Sequence, residues 1–346
     1  MGEEEFCSVL LICTGGTISM AVDPGTGALT PFKFDQLYKQ IPELNKFDFK
    51  VDYVQFDPLL DSSEVTQKEW ISMAETIYNS YDKYDGFVIL HGTDTMAYSA
   101  SALSFLLEHL KKPVIFTGSQ LPIGMIRTDG KGNLITALEI AAAKEYGEAM
   151  VPEVCIFFEN TLWRGNRTTK KNAELFNAFG SYNYAPLATA GVHIRYNRSI
   201  IHHDRGSENL ILHQALDNNI AILKLFPGIS ESYVNALFHT PNLRAVILES
   251  FGAGNAPSHG WMVKALKEAT DKGIVIVNIT QCNSGSVEMG RYKTSVHLLN
   301  AGVISGFDIT TEAAVTKLMF LLGHYQDPDI IRSEMVRSFC GEITIE

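Results

Sequence analysis

Three short apolar runs in the first third of the chain end abruptly in loops of Gly, Thr and Ser, and this arrangement restricts the fold more than any other feature. Residues 8–13 (SVLLIC) run into Thr14-Gly15-Gly16-Thr17, and residues 86–90 (GFVIL) into His91-Gly92-Thr93-Asp94-Thr95. Residues 114–116 (VIF) run into Thr117-Gly118-Ser119-Gln120. Unbroken rather than alternating hydrophobicity suits strands covered on both faces, as in a parallel sheet. Helical patterns separate the runs. Thr66-Gln67-Lys68-Glu69 reads as a capping box opening a helix toward Tyr81, with Trp70, Ala74 and Ile77 on one stripe. Residues 96–110 and 133–144 read as further helices. The alternation of strand, loop and helix predicts an α/β fold with a doubly wound, mostly parallel sheet. Such sheets bind ligands beyond the carboxyl ends of their strands, where all three Gly/Thr loops fall.

A chain of 346 residues exceeds what one hydrophobic core serves, so two domains are expected. Residues 221–225, 245–249 and 273–279 read as strands and 260–272 and 311–322 as helices, which predicts a smaller α/β C-terminal domain. Residues 191–212 are polar and irregular and read as a linker between a catalytic domain, 1–190, and this second domain, 213–346. The net charge of −11 repels phosphate backbones and anionic membrane surfaces, so neither nucleic acid nor membrane is expected as a partner. The five cysteines (Cys7, Cys13, Cys155, Cys282, Cys340) are widely spaced and form no C-x-x-C pair. Reduced thiols in a reducing compartment account for them. The apolar run 9–12 is too short for a signal-peptide core, and Glu3, Glu4 and Glu5 precede it where positive charge is needed. A cytoplasmic location is therefore expected.

Thr17 follows two glycines at the mouth of the first strand. Alone, it fits a turn in which Gly supplies unusual dihedrals and Thr a local hydrogen bond. Three features point beyond a turn: a second Gly-Thr loop after another parallel-type strand, Asp94 directly after Thr93, and a basic run at residues 167–171. Hydrolysis of an unactivated amide needs a nucleophile, a base to activate it and a proton donor for the leaving ammonia. A lysine held neutral by burial can take the proton of a threonine hydroxyl, and an adjacent carboxylate can orient that lysine. Thr17, Thr93, Lys170 and Asp94 contain every part required. Other motifs are weaker. His202-His203-Asp204 could suggest a metal, but neighbours on an extended chain point opposite ways, and a solvated surface is the simpler reading. Gly252-Ala253-Gly254 lacks the third glycine of a dinucleotide loop, whose place Pro257 takes, so neither metal nor cofactor is expected.

TGGTI (residues 14–18) and HGTDTM (residues 91–96) match the two signatures of the asparaginase/glutaminase family. The likeness extends over nearly the whole chain, to PLLDSS (58–63), TGSQ (117–120), RGNRTTK (164–170), GAGNAP (252–257) and TQC (280–282). The sequence most resembles the cytoplasmic type I bacterial asparaginases. That resemblance implies hydrolysis of the side-chain amide of L-asparagine without a cofactor. It implies Thr17 as the nucleophile that forms a β-aspartyl enzyme, with Thr93 supported by Lys170 and Asp94. It also implies that Asp61, Ser62, Ser63 and Thr93 bind the substrate, Ser62 matching a residue that takes the α-carboxylate, and Asp94 suits the α-ammonium. Lys171 competes with Lys170, but ungapped reading of RGNRTTK selects Lys170 and leaves Lys171 solvated. The family completes each site from a neighbouring subunit, which implies a homodimer or a dimer of dimers, and Asn255 matches one such contributor. Glu288 and Tyr292 also lie in the second domain, where a surface or packing role fits them equally well.

Two departures stand out against that resemblance. Many relatives carry a tyrosine on the loop beyond the nucleophile; here residues 25–29 read GTGAL, leaving Tyr292 or water to take its role. In some type I enzymes a second asparagine activates the enzyme, its carboxylate held by an arginine near a threonine and a cysteine. Thr169 and Cys282 match the latter two, but Glu249 replaces the arginine. A carboxylate facing a carboxylate repels, so no activation through this pocket is expected; alternatively Glu249 simply faces solvent. Two rival readings remain. An archaeal tRNA-dependent amidotransferase subunit carries an additional N-terminal domain, whereas TGGTI starts here at residue 14. A non-catalytic amino-acid-binding module has no need of both threonines and the lysine.

Overall fold

In the computed structural model, which describes residues 7–22, 25, 29–31, 41–290 and 293–345, each apolar run becomes a strand buried on both faces. The chain divides into two units, Met1–His213 and Gln214–Glu346. The first unit contains, in chain order, β1 (Ser8–Gly15), β2 (Lys50–Leu60), α1 (Gln67–Ser80), β3 (Gly86–Leu90), α2 (Met96–Leu106), β4 (Val114–Thr117), α3 (Gly130–Ala142), β5 (Val154–Phe158), β6 (Thr161–Arg164), β7 (Ala188–Ala190) and β8 (Ile194–Tyr196). The eight strands form one sheet in the order β8-β7-β6-β5-β4-β3-β1-β2. Pairing is parallel from β2 through β5 and antiparallel from β5 to β8.

Register places Leu11, Val88, Ile115 and Cys155 in one row across four neighbouring strands. That row packs with Leu134, Ala137 and Leu138 of α3 in a single core cluster. Each such buried aliphatic side chain contributes about 1.5–3 kcal/mol, which is why these strands need no polar alternation. β2 lies at the sheet edge and mixes exposed with half-buried residues, so it carries no comparable apolar run. The capping box at α1 forms as read: Thr66 accepts from the Lys68 N–H, and Glu69 accepts from the Thr66 N–H at 2.8 Å. Trp70, Ala74 and Ile77 are buried on one stripe, joined by Met73.

Two expectations are corrected here. The helix expected over 96–110 ends at Leu106, because residues 107–108 pair antiparallel with 211–212 and His109 takes a left-handed φ of 62° that no right-handed helix continues. The stretch 191–212 carries sheet structure of the first unit: β8 lies within it, and so does the pairing partner of 107–108.

The second unit is built on a four-stranded parallel sheet. Its elements are β9 (Ile220–Lys224), α4 (Glu231–Phe238), β10 (Ala245–Ser250), α5 (Gly260–Asp271), β11 (Val275–Thr280), α6 (Lys293–Asn300), β12 (Ile304–Ser305), α7 (Thr311–His324) and α8 (Pro328–Met335). The strand order β9-β10-β11-β12 follows the chain. Lys317 of α7 is fully buried and pairs with Glu342 at 2.7 Å, which fastens the segment after α8 to the helix.

Candidate active site

In the first unit the chain leaves β1 for β2 on one side and then enters β3 on the other. The strand order therefore reverses between β1 and β3, the point at whose carboxyl ends sheets of this kind form their ligand crevice. Both Gly-Thr loops end at this point. Glycine lets them meet. A Cβ added at Gly16, whose φ is 81°, would lie 2.4 Å from the Gly92 nitrogen, and one at Gly15 would lie 2.1 Å from the Leu60 carbonyl oxygen. A Cβ at Gly92 would lie 2.4 Å from Ser62 Oγ. Three loops thus touch main chain to main chain or main chain to hydroxyl, and only residues without side chains permit it. Thr14 ties the first loop to the next strand, its Oγ1 donating to the Leu90 carbonyl at 2.8 Å.

Thr17 opens a short 3-10 turn, Thr17–Ser19, and is half-buried, while Ile18 and Ser19 are buried and anchor it. Across the Gly16–Gly92 contact stands Thr93. Lys170 Nζ donates to Thr93 Oγ1 at 2.8 Å and to Asp94 Oδ1 at 2.7 Å. The Thr93 hydroxyl donates in turn to Gln120 Oε1 at 3.4 Å. The Lys170 side chain is 16% exposed, and that of its partner Asp94 is 65% exposed. Its placement comes from the antiparallel end of the sheet. After β6 a tight turn at Gly165–Arg167 packs so closely that a Cβ at Gly165 would lie 2.9 Å from Ala100 Cβ. Thr168 Oγ1 then bonds the Arg164 carbonyl at 2.7 Å, and residues 169–170 pair with 179–180.

Ser62 is buried beside Gly92, and its carbonyl accepts from Thr95 Oγ1 at 2.6 Å. The Asp61 carboxylate accepts from the Ser63 N–H at 2.9 Å and the Ser63 hydroxyl at 2.8 Å. These bonds, the backbone one foremost, hold its carboxyl below the usual range. Cys13, two residues before the first glycine pair begins, is no competing nucleophile, because burial pushes its thiol up.

The asparaginase N-terminal family model matches residues 8–202, and the glutaminase/asparaginase C-terminal domain model matches residues 219–335. The chain belongs to the asparaginase family. L-asparaginase 1 of Escherichia coli (strain K12) is 45% identical over 341 residues, 97% of this chain and 98% of that protein. The 60 kDa lysophospholipase of Mus musculus is 41% identical over 344 residues, 93% of this chain but 59% of that protein. The crystal structure of L-asparaginase I from Vibrio cholerae O1 biovar eltor str. N16961 superposes with a TM-score of 0.89 at 39% identity, covering 98% of this chain and 100% of that one.

The fold thus brings Thr93, Asp94 and Lys170 into direct contact, with Thr17 and Ser62 on the adjoining loops. Lys171 is exposed, as expected. Asn255 lies in the second unit, closing a turn in which its N–H donates to the Phe251 carbonyl at 2.8 Å. Glu288 is exposed in the same unit, its N–H donating to the Ala253 carbonyl at 3.0 Å. Tyr292 lies outside the described residues, as do residues 26–28 of the loop without tyrosine. Glu249 does not face solvent. It is buried at the end of β10, accepting from Thr311 Oγ1 at 3.0 Å and pairing with Lys224 at 3.3 Å. The motif His202-His203-Asp204 has structural partners: the His202 N–H donates to Glu153 at 2.6 Å, and Asp204 pairs with His109 at 2.7 Å.

Two supports of the site went unread in the sequence. Gln120, the last residue of TGSQ, accepts from Thr93 Oγ1 and also donates to the Leu175 carbonyl at 3.1 Å. Asp129 fixes it by accepting from the Gln120 and Leu121 N–H groups at 3.0–3.2 Å. A carboxylate just ahead of a helix was the available signal.

Proposed function

We propose that this chain hydrolyses L-asparagine to L-aspartate and ammonia, with Thr17 as the nucleophile. The Lys170 amine in contact with both Thr93 Oγ1 and Asp94 Oδ1, across a glycine contact from Thr17, carries this reading. The Thr17 oxygen adds to the amide carbonyl carbon, the C–N bond breaks, and ammonia leaves with the proton that the hydroxyl gives up. Water then adds to the β-aspartyl ester, releasing aspartate and restoring the hydroxyl. Thr93 and Lys170 carry protons in both halves, and Asp94, largely exposed, orients Lys170 while offering an anion to the substrate α-ammonium. Ser62 would receive the α-carboxylate, and Asp61 would act by holding the Ser63 end of that turn. Asn255, with Tyr292 as the candidate for the missing loop tyrosine, would serve a neighbouring subunit's site in a homodimer or dimer of dimers. A cytoplasmic location accords with five cysteines that form no disulfide. Among the described residues no helix is long and apolar enough to cross a membrane.

Ammonia release from asparagine tests the reading. Thr17→Ala and Thr93→Ala should each lose several orders of magnitude with the fold intact. Lys170→Met should lose at least roughly 10²–10⁴-fold, the worth of general acid–base help. Lys171→Met should match wild type. A folded Lys170→Met enzyme at near-normal turnover would show that the proton acceptor lies elsewhere.

A further inference from the structure

His91, the residue after β3, is almost completely buried, yet both of its ring nitrogens are engaged. Nδ1 lies 2.7 Å from the Gly92 carbonyl oxygen and Nε2 lies 2.9 Å from Ser99 Oγ. The indole N–H of Trp70 reaches the same Ser99 oxygen at 2.9 Å. An indole N–H can only donate and a carbonyl oxygen can only accept, so with the imidazole neutral the direction of every bond follows. Trp70 donates to Ser99, Ser99 donates to His91 Nε2, and His91 Nδ1–H donates to Gly92. The chain begins on α1, passes through α2 and ends on the peptide joining Gly92 to Thr93.

That peptide is where the site is most tightly constrained. A trans peptide sets its N–H opposite its carbonyl, so drawing the Gly92 oxygen inward to the imidazole turns the Thr93 N–H the other way. It also sets the direction in which Thr93 leaves the main chain toward Lys170, 2.8 Å from its hydroxyl. The other flank of Gly92 abuts Gly16, next to Thr17. Rotation of this one peptide would therefore disturb Thr93 directly, beside the point where the Thr17 loop touches Gly92.

We propose that His91 is a positioning residue for amide hydrolysis: through Ser99 and Trp70 it holds the Gly92–Thr93 peptide, and so the Thr93–Lys170 contact, in reactive alignment. The inference rests on the asparaginase reading of the site. A histidine that only fills the core would alter stability and leave the turnover of folded enzyme unchanged. One that positions the peptide should act on kcat.

The experiment is steady-state hydrolysis of asparagine by full-length wild type, His91→Leu, His91→Asn and Ser99→Ala, each corrected for folded fraction by circular dichroism. His91→Leu removes the donor to Gly92 and should lower kcat about 10–100-fold, the scale of misplacing reacting groups by an ångström, with KM little changed. His91→Asn keeps an amide donor near the Nδ1 position and should recover much of that loss. Ser99→Ala leaves the donor but frees the ring, and a loss of several-fold in kcat is expected. Folded His91→Leu at wild-type kcat overturns the inference; if that variant does not fold, Ser99→Ala at wild-type kcat overturns it equally. Wild type that releases no ammonia from asparagine would bring down the asparaginase reading and this inference together, whereas active wild type with indifferent variants overturns this inference alone.

Discussion

Three basic residues of one short segment meet three different fates. Arg167 is buried and lies over the Tyr184 ring, 5.2 Å from its centroid. Lys170 reaches Thr93 and Asp94, and Lys171 is exposed. Charge type alone does not separate them; the turn at Gly165–Arg167 does, by setting which side chain returns to the crevice. At the same scale, burial lowers the pKa of His91 to about 4, against the ordinary value near 6.5. Between those two values the unfolded chain takes up a proton that the native state refuses, so stability is complete above pH 6.5 and falls as pH drops toward 4. The difference corresponds to roughly 3 kcal/mol at the limit. Urea unfolding at pH 7.5 and pH 4.5 should therefore show wild type losing more stability than His91→Asn over that interval. Parallel losses in the two proteins would mean that the ring is not held neutral.

Among the elements, the β5–β6 hairpin carries Lys170 to the site and is secured by one buried ion pair. Arg164 Nε and Nη2 lie 2.5 Å and 3.0 Å from the two Glu153 oxygens, and Nη2 also donates to the Ile200 carbonyl at 2.9 Å. The guanidinium stacks over Tyr184, 4.4 Å from the ring centroid. Breaking such a pair strands a charge in the interior and costs about 3–5 kcal/mol, although the intact pair adds little over an apolar replacement. Glu153→Gln and Arg164→Met are each expected to destabilise the first unit on that scale. The double variant Glu153→Gln/Arg164→Met should lose less than the sum of the two single losses in urea unfolding. Additive losses in the double variant would show that the two side chains are not coupled.

At the scale of the whole molecule, two proposals concern assembly and regulation. A homodimer as the smallest active unit predicts that activity per chain falls on dilution in step with the dimer fraction seen by light scattering, since a closed two-fold interface supplies both sites at once. Full activity in a monomer would end that proposal. For regulation, Glu249 is committed to Thr311 and Lys224 within the second unit. Rates against asparagine should therefore follow a hyperbola, because the resemblance matches Glu249 to the arginine that holds an effector's carboxylate in some relatives, and a carboxylate there would repel it. Sigmoidal rates that become hyperbolic on mutating Thr169 or Cys282 would contradict this.

What the sequence determined by itself was local or composed of unbroken patterns. The strands β1, β3 and β4 were legible because burial on both faces demands continuous hydrophobicity, and α1 because its cap is written in four adjacent residues. The short antiparallel strands β6, β7 and β8 were not legible, since they carry no periodicity long enough to read. The same distinction holds at the site. Thr17, Thr93 and Asp94 sit in compact motifs, and the resemblance selected Lys170 over Lys171. That Lys170 crosses 76 positions to touch Asp94 was decided by the tertiary structure. So was the chain from Trp70 through Ser99 to His91, because a hydrogen bond between distant residues depends on packing that no local segment specifies.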